Sequence, residues 1–123
     1  MMQMLDLFSG LGGASEAFLQ NGWHVIRIDN NPMFGPGGKN EVPHTITSDV
    51  IRFRNTFEPK TIDFLWASPP CNEFSLAYPA PRSVAAREGV LDLYKPDMKP
   101  LEATLAIIKA IKPRYGIVTG KQG

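Results

Sequence analysis

Two short stretches hold residues suited to chemistry. The first is Ala67-Ser68-Pro69-Pro70-Cys71-Asn72-Glu73-Phe74-Ser75, which contains the only cysteine of the chain. A thiolate is a strong nucleophile, and a free thiol near its ordinary pKa of about 8.5 is ionised to a few per cent at neutral pH. Pro69 and Pro70 fix φ and restrict the residues before them, so this loop can hold a thiol in one place. Asn72 and Ser75 add hydrogen-bonding groups, and Phe74 can anchor the loop. The competing interpretation is a buried structural cysteine, the commoner role of a lone Cys. No partner base is evident. His24 falls at the start of a strand, where a structural role is expected, and His44 falls in a loop. One cysteine excludes an internal disulfide and a multi-cysteine zinc site, and no metal is expected.

The second stretch is Phe8-Ser9-Gly10-Leu11-Gly12-Gly13. Glycines let a backbone turn tightly from strand to helix and approach a ligand closely. Free N–H groups at the helix start meet polar or anionic atoms. The spacing is not the G-x-G-x-x-G of dinucleotide enzymes, so a pyrophosphate cradle is not the first expectation. Asp29 is expected to end a second strand, where a carboxylate accepts both hydroxyls of a ribose. Asp49 ends a third, where it could accept from an exocyclic amine of adenine. Each feature alone also fits a plain turn or helix cap. In this order they favour a nucleoside-binding crevice.

The elements that must position these residues follow from pattern. Strands are expected over 3–8, 23–28, 45–48, 62–67 and 115–118. A helix over 13–20 presents Ala14, Ala17, Phe18 and Leu19 and stops at Asn21-Gly22. A second helix over 100–111 presents Leu101, Leu105, Ile108 and Ile111, and Lys112-Pro113 stops it. The Gly/Pro-rich run 33–44 is expected to be a loop, as is 79–96 with its three prolines. This alternation argues for a parallel α/β sheet. The chain ends soon after the last strand, so the unit is expected to be incomplete at its C-terminus.

The chain has 123 residues, 43% hydrophobic, with a formal charge of +1. That fits one domain or part of one, able to bury a core without staples. It excludes a strongly basic nucleic-acid coat, so any phosphate contact must come from local placement. The amino terminus lacks the pattern of a secretory signal, and no apolar run reaches membrane-spanning length. A cytoplasmic location without membrane contact is expected.

Taken together, the motifs resemble the DNA cytosine-5 methyltransferases. LDLFSGLGGASEAF is similar to the first motif of that family, which contacts S-adenosylmethionine. DFLWASPPCNEFS is similar to its proline-cysteine motif. IDNNP and SDV stand where its second and third cofactor motifs belong, and KPRYGIV resembles the lead-in to its Glu-Asn-Val motif. The resemblance runs from Leu5 to about Val118. It implies a Rossmann-like methyltransferase fold with a mostly parallel sheet. Residues 1–123 would be the N-terminal part of the catalytic domain, without a target-recognition domain. The implied activity is methyl transfer from S-adenosylmethionine to C5 of cytosine in DNA, as in restriction–modification.

The resemblance also implies roles. Phe8, Gly10, Gly12 and Gly13 shape the cofactor pocket. Asp29, with Asn30, takes the ribose, and Asp49, with Val50, takes the adenine. Pro69 adds to the cofactor site, Pro70 orients the flipped base, and Cys71 attacks C6. Ser75, Arg82 and Arg87 are implied DNA contacts on a catalytic loop. The pattern departs from the family after Val118, where Thr119-Gly120-Lys121 replaces Glu-Asn-Val. A threonine cannot serve as an acid near neutral pH. This favours two alternatives: an inactive cofactor-binding fragment, or a catalytic half completed by a second polypeptide.

Overall fold

The structure is a computed structural model, which describes residues 1–53, 57–70 and 98–119. Five strands form one sheet, every neighbouring pair parallel: β1 (Gln3–Leu7), β2 (His24–Asp29), β3 (Thr45–Thr47), β4 (Phe64–Ala67) and β5 (Tyr115–Val118). Their order across the sheet is β3-β2-β1-β4-β5. The chain therefore reverses its direction of travel between β1 and β4. Neighbouring loops diverge at such a point and leave a crevice at the carboxyl ends of the strands.

Among the described residues two helices connect the strands, α1 (Gly13–Gln20) and α2 (Lys99–Ile111). Side chains alternate across the sheet, which divides the interior into two unlike layers. Leu5, Leu7, Ile28, Leu65 and Ala67 form one layer with Ile107 and Ile111 of α2. This is the hydrophobic core. On the α1 side, Phe18 meets Trp23 edge-on at 5.0 Å and Phe64 at 5.1 Å between ring centroids. There too lies a buried polar network, in which Asp6 and Arg27 occupy partnered positions of β1 and β2.

The expected strands and helices are present, with boundaries moved by at most two residues; the loop expected over 79–96 lies outside the described residues. The turn after β2 also holds a single 3-10 turn, Pro32–Phe34, whose start is capped by the Asn31 side chain accepting from the Met33 N–H at 3.0 Å. The inner faces of both helices match the expected ones in part: Ala14, Phe18 and Leu19 of α1 are half-buried and Ile111 of α2 is buried. In α1 the buried residue is Ser15, while Ala17 is exposed. In α2 the buried stripe is Pro100, Thr104, Ile107 and Ile111, and Leu105 is 53% exposed. Apolar residues surround much of α2, so the pattern offers two overlapping stripes. Thr104 can take the inner one because its hydroxyl donates to the Pro100 carbonyl at 2.8 Å. No helix among the described residues is long and apolar enough to cross a membrane.

Candidate active site

β1 must end abruptly for a ligand to approach its tip. Phe8 makes that turn with φ 58, a conformation uncommon for a bulky side chain and a mark of functional sites. Gly10 and Gly12 continue it at φ 51 and φ 81. The Ser9 N–H donates to the Ile28 carbonyl at 3.1 Å, which keeps the turn beside β2.

A cavity of about 420 Å³ opens at the carboxyl ends of β1 and β4, the point where strand order reverses. The glycine turn supplies one wall through Phe8, Ser9, Gly10 and Leu11. Asp6, Ala14, Phe34 and Ser68 complete its described lining. The size suits a nucleoside-sized ligand, and the mixture of aromatic surface and a few polar groups is typical of such sites. Ser9 Oγ is buried and has no hydrogen-bond partner among the described residues. It is a polar group the protein itself leaves unused at the cavity wall.

Asp29 stands behind this wall, nearly buried. Its Oδ2 accepts the Gly10 N–H at 2.8 Å and its Oδ1 the Asn31 N–H at 2.9 Å. Each oxygen retains a further lone pair for a hydroxyl donor. Gly12 and Gly13 differ sharply. A Cβ at Gly12 would lie 2.7 Å from Arg27 Cζ, whereas one at Gly13 would meet nothing within 4 Å. Gly13 simply opens α1. Asn30 is exposed, and Asp49 forms a turn by accepting the Ile51 N–H at 3.0 Å. Val50 is packed in the hydrophobic core. These three lie outside the described cavity lining.

On the β4 side, Ser68 faces the cavity and leads into Pro69, which is buried, and Pro70, which is exposed. Ser68 Oγ accepts from Trp66 Nε1 at 2.9 Å and lies 3.0 Å from Thr119 Oγ1. The Thr119 N–H donates to the Ala67 carbonyl at 2.9 Å. Thr119 is thus fixed at the tip of β5, one strand from the cavity. The positions assigned to Cys71, Ser75, Arg82 and Arg87 lie outside the described residues. His24 is exposed, and among the described residues only backbone bonds tie it in; His44 is exposed with φ 66.

Sequence reasoning missed the polar layer beneath the turn. Arg27 is fully buried. Its guanidinium donates to Ser15 Oγ at 2.8 Å, to the Gly12 carbonyl at 3.2 Å, to the Pro43 carbonyl at 2.9 Å and to Glu16 Oε2 at 3.0 Å. Ser15 in turn donates to Asp6 Oδ2 at 2.6 Å. The available signal was a charge of opposite sign in the middle of each of two successive apolar strands, LDLF and VIRID.

Comparison with known proteins bears on what this arrangement does. The model of the C-5 cytosine-specific DNA methylase family matches residues 2–115. A relative described as a probable DNA (cytosine-5)-methyltransferase, from Frog virus 3 (isolate Goorha), is 32% identical over 77 residues. That match covers 60% of this chain and 31% of the relative, so the chain spans less than two thirds of the relative's length.

Proposed function

This chain belongs to the C-5 cytosine-specific DNA methylase family, and from that membership we propose that it carries the methyl-donor site and the nucleophile of a DNA cytosine-5 methyltransferase. The observation that carries the proposal is the cavity at the reversal point of the sheet. The glycine turn bounds it on one side, and on the other Ser68 leads directly to Pro69-Pro70-Cys71. One sheet edge thus brings the cofactor motif beside the start of the nucleophile motif.

The family uses S-adenosylmethionine, and the residues present suit it. Phe8 offers an aromatic surface, the turn offers backbone and hydroxyl groups, and Asp29 offers lone pairs for ribose hydroxyls. Asp49 has one carboxylate oxygen engaged in its own turn, and the other, without a partner among the described residues, would accept from the adenine amine. Bound there, S-adenosylmethionine supplies an electrophilic methyl group. Cys71, as the thiolate, adds to C6 of cytosine and makes C5 enamine-like, so that C5 can take the methyl. Loss of the C5 proton and expulsion of the thiolate restore the aromatic ring. Because C6 is shielded in stacked DNA, the base must swing out, at a cost of about a few kcal/mol. Pro70 would orient that base through its carbonyl, and Ser75, Arg82 and Arg87 would hold the DNA strand. A cytoplasmic location goes with this proposal.

A second reading rests on Thr119. The family pattern places glutamate there to hold cytosine N3 and protonate the ring, and the Thr119 hydroxyl instead faces Ser68. On this reading the chain binds the cofactor and depends on a second polypeptide for catalysis. Covalent trapping on DNA containing 5-fluorocytosine separates the two. Trapping by the parent chain that disappears in Cys71→Ala supports the enzyme. Trapping that persists in Cys71→Ala contradicts it. Cofactor binding without trapping supports the second reading.

A further inference from the structure

At the amino ends of β4 and β5, on the edge of the sheet away from the candidate active site, lies a second recess of about 380 Å³. Its described lining is Lys60, Asp63, Lys112 and Arg114, all charged. The two loops carrying them are tied together by backbone. The Lys60 N–H donates to the Ile111 carbonyl at 2.8 Å, and the Arg114 N–H to the Ile62 carbonyl at 3.1 Å.

The charge here is unbalanced. Among the described residues none of the three cations has a carboxylate within ion-pair distance; the Arg27–Glu16 pair lies elsewhere. Asp63 is the one carboxylate in the lining, and its Oδ2 already accepts the Gln3 N–H at 2.8 Å. The carboxyl end of α2 adds about half a negative charge. Three cations exceed both together.

The backbone adds an independent observation. Lys60 has φ 68 and Lys112 has φ 52. Glycine adopts this left-handed conformation without a Cβ penalty, and it is the usual residue just past a helix end, where Lys112 stands. Lysine occupies both positions, and both line the same recess. Strain retained where charge converges points to a use for the charge. Phe8, another of the few non-glycine residues with positive φ, lines the other cavity.

We propose that Lys60, Lys112 and Arg114 form a phosphate-binding site distinct from the methyl-donor cavity. Arg114 offers a planar fork that matches two phosphate oxygens, and the lysines act as flexible point charges. The four residues of β4 separate the two sheet edges by about 13 Å, at about 3.3 Å per residue. A phosphate held here is therefore not the one adjoining a base at the active site. It is either a phosphate of the nucleic-acid backbone farther along the strand or a free phosphate ion. The proposal does not depend on the function proposed above.

The test uses the double variant Lys60→Gly/Lys112→Gly, which removes two charges at positions where glycine relieves the backbone. It should fold with an unchanged or higher melting temperature. Inorganic phosphate and a duplex oligonucleotide are titrated separately, the duplex over a series of salt concentrations. The parent should bind at least one of them, and the variant should bind it about tenfold more weakly, as expected for a lost charge-assisted contact. A fall of about 0.9 in the salt slope for the duplex identifies the nucleic-acid backbone as the source. Loss confined to inorganic phosphate identifies the free ion. Failure of the parent to bind either ligand overturns the proposal. So does equal binding by parent and variant, and a lower melting temperature alongside equal binding would show that the lysines serve only to balance the end of α2.

Discussion

Asp29 Oδ2 accepts the Gly10 N–H at 2.8 Å, joining the tip of β2 to the turn that follows β1. The residue proposed to hold the ribose therefore also sets the shape of the wall against which the rest of the cofactor would lie. Its position follows from the register, in which Leu7 and Ile28 are partners and Asp29 is the next residue along β2. Binding and local stability are coupled through this one side chain.

Asp29→Ala should accordingly do two things. It leaves the buried Gly10 N–H without its acceptor, which should cost about 1–3 kcal/mol of stability. It should also abolish binding of S-adenosylhomocysteine. Asp29→Asn keeps one acceptor oxygen and should lie between parent and Ala in stability. Urea denaturation and calorimetric titration of the same three proteins check both effects.

The paired glycines Gly12-Gly13 should respond oppositely to alanine. At Gly12 a Cβ meets the Arg27 guanidinium at 2.7 Å, and φ 81 disfavours any side chain. Gly12→Ala should destabilise by roughly 1–3 kcal/mol through overpacking and strain. At Gly13 the space is open and the residue is helical, so Gly13→Ala should be neutral or stabilise by about 0.4–1 kcal/mol. Thermal melts of the two variants decide the matter.

This difference marks the limit of what the sequence disclosed. The turn, the parallel sheet implied by the alternation of elements, and the meeting of Phe8 and Gly10 at a sheet edge were all legible, because glycine position and apolar runs reflect local backbone constraints. The distinction between Gly12 and Gly13 was not. It depends on Arg27, a residue of the next strand, filling the space beneath one and not the other. Part of the helices' inner faces was hidden for a related reason. Ser15 is buried because Asp6 and Arg27 supply partners for it, and Thr104 because its own helix does. A polar residue with a buried partner looks like a surface residue when only one chain segment is considered.

Within that polar layer, burial should decide which interactions matter. Arg27→Met removes the donor shared by Ser15, Gly12 and Pro43, and should cost about 3 kcal/mol or more, as expected when a buried charge network is broken. The Glu16 side chain is half exposed. Glu16→Ala should cost under about 1 kcal/mol despite removing the ion pair with Arg27. Guanidinium-free chemical denaturation of both variants, with a shared baseline slope, would test this ordering.

The central claim is that the cavity between the glycine turn and Ser68 is the methyl-donor site, and calorimetric titration with S-adenosylhomocysteine tests it most directly. Phe8→Ala provides the comparison, since Phe8 lines the cavity and is only half-buried. The account predicts saturable one-to-one binding to the parent chain, weakened by about tenfold or more in the variant through loss of aromatic contact. A parent chain that is folded by circular dichroism and gives no binding, or a Phe8→Ala variant that binds as tightly as the parent, would contradict it.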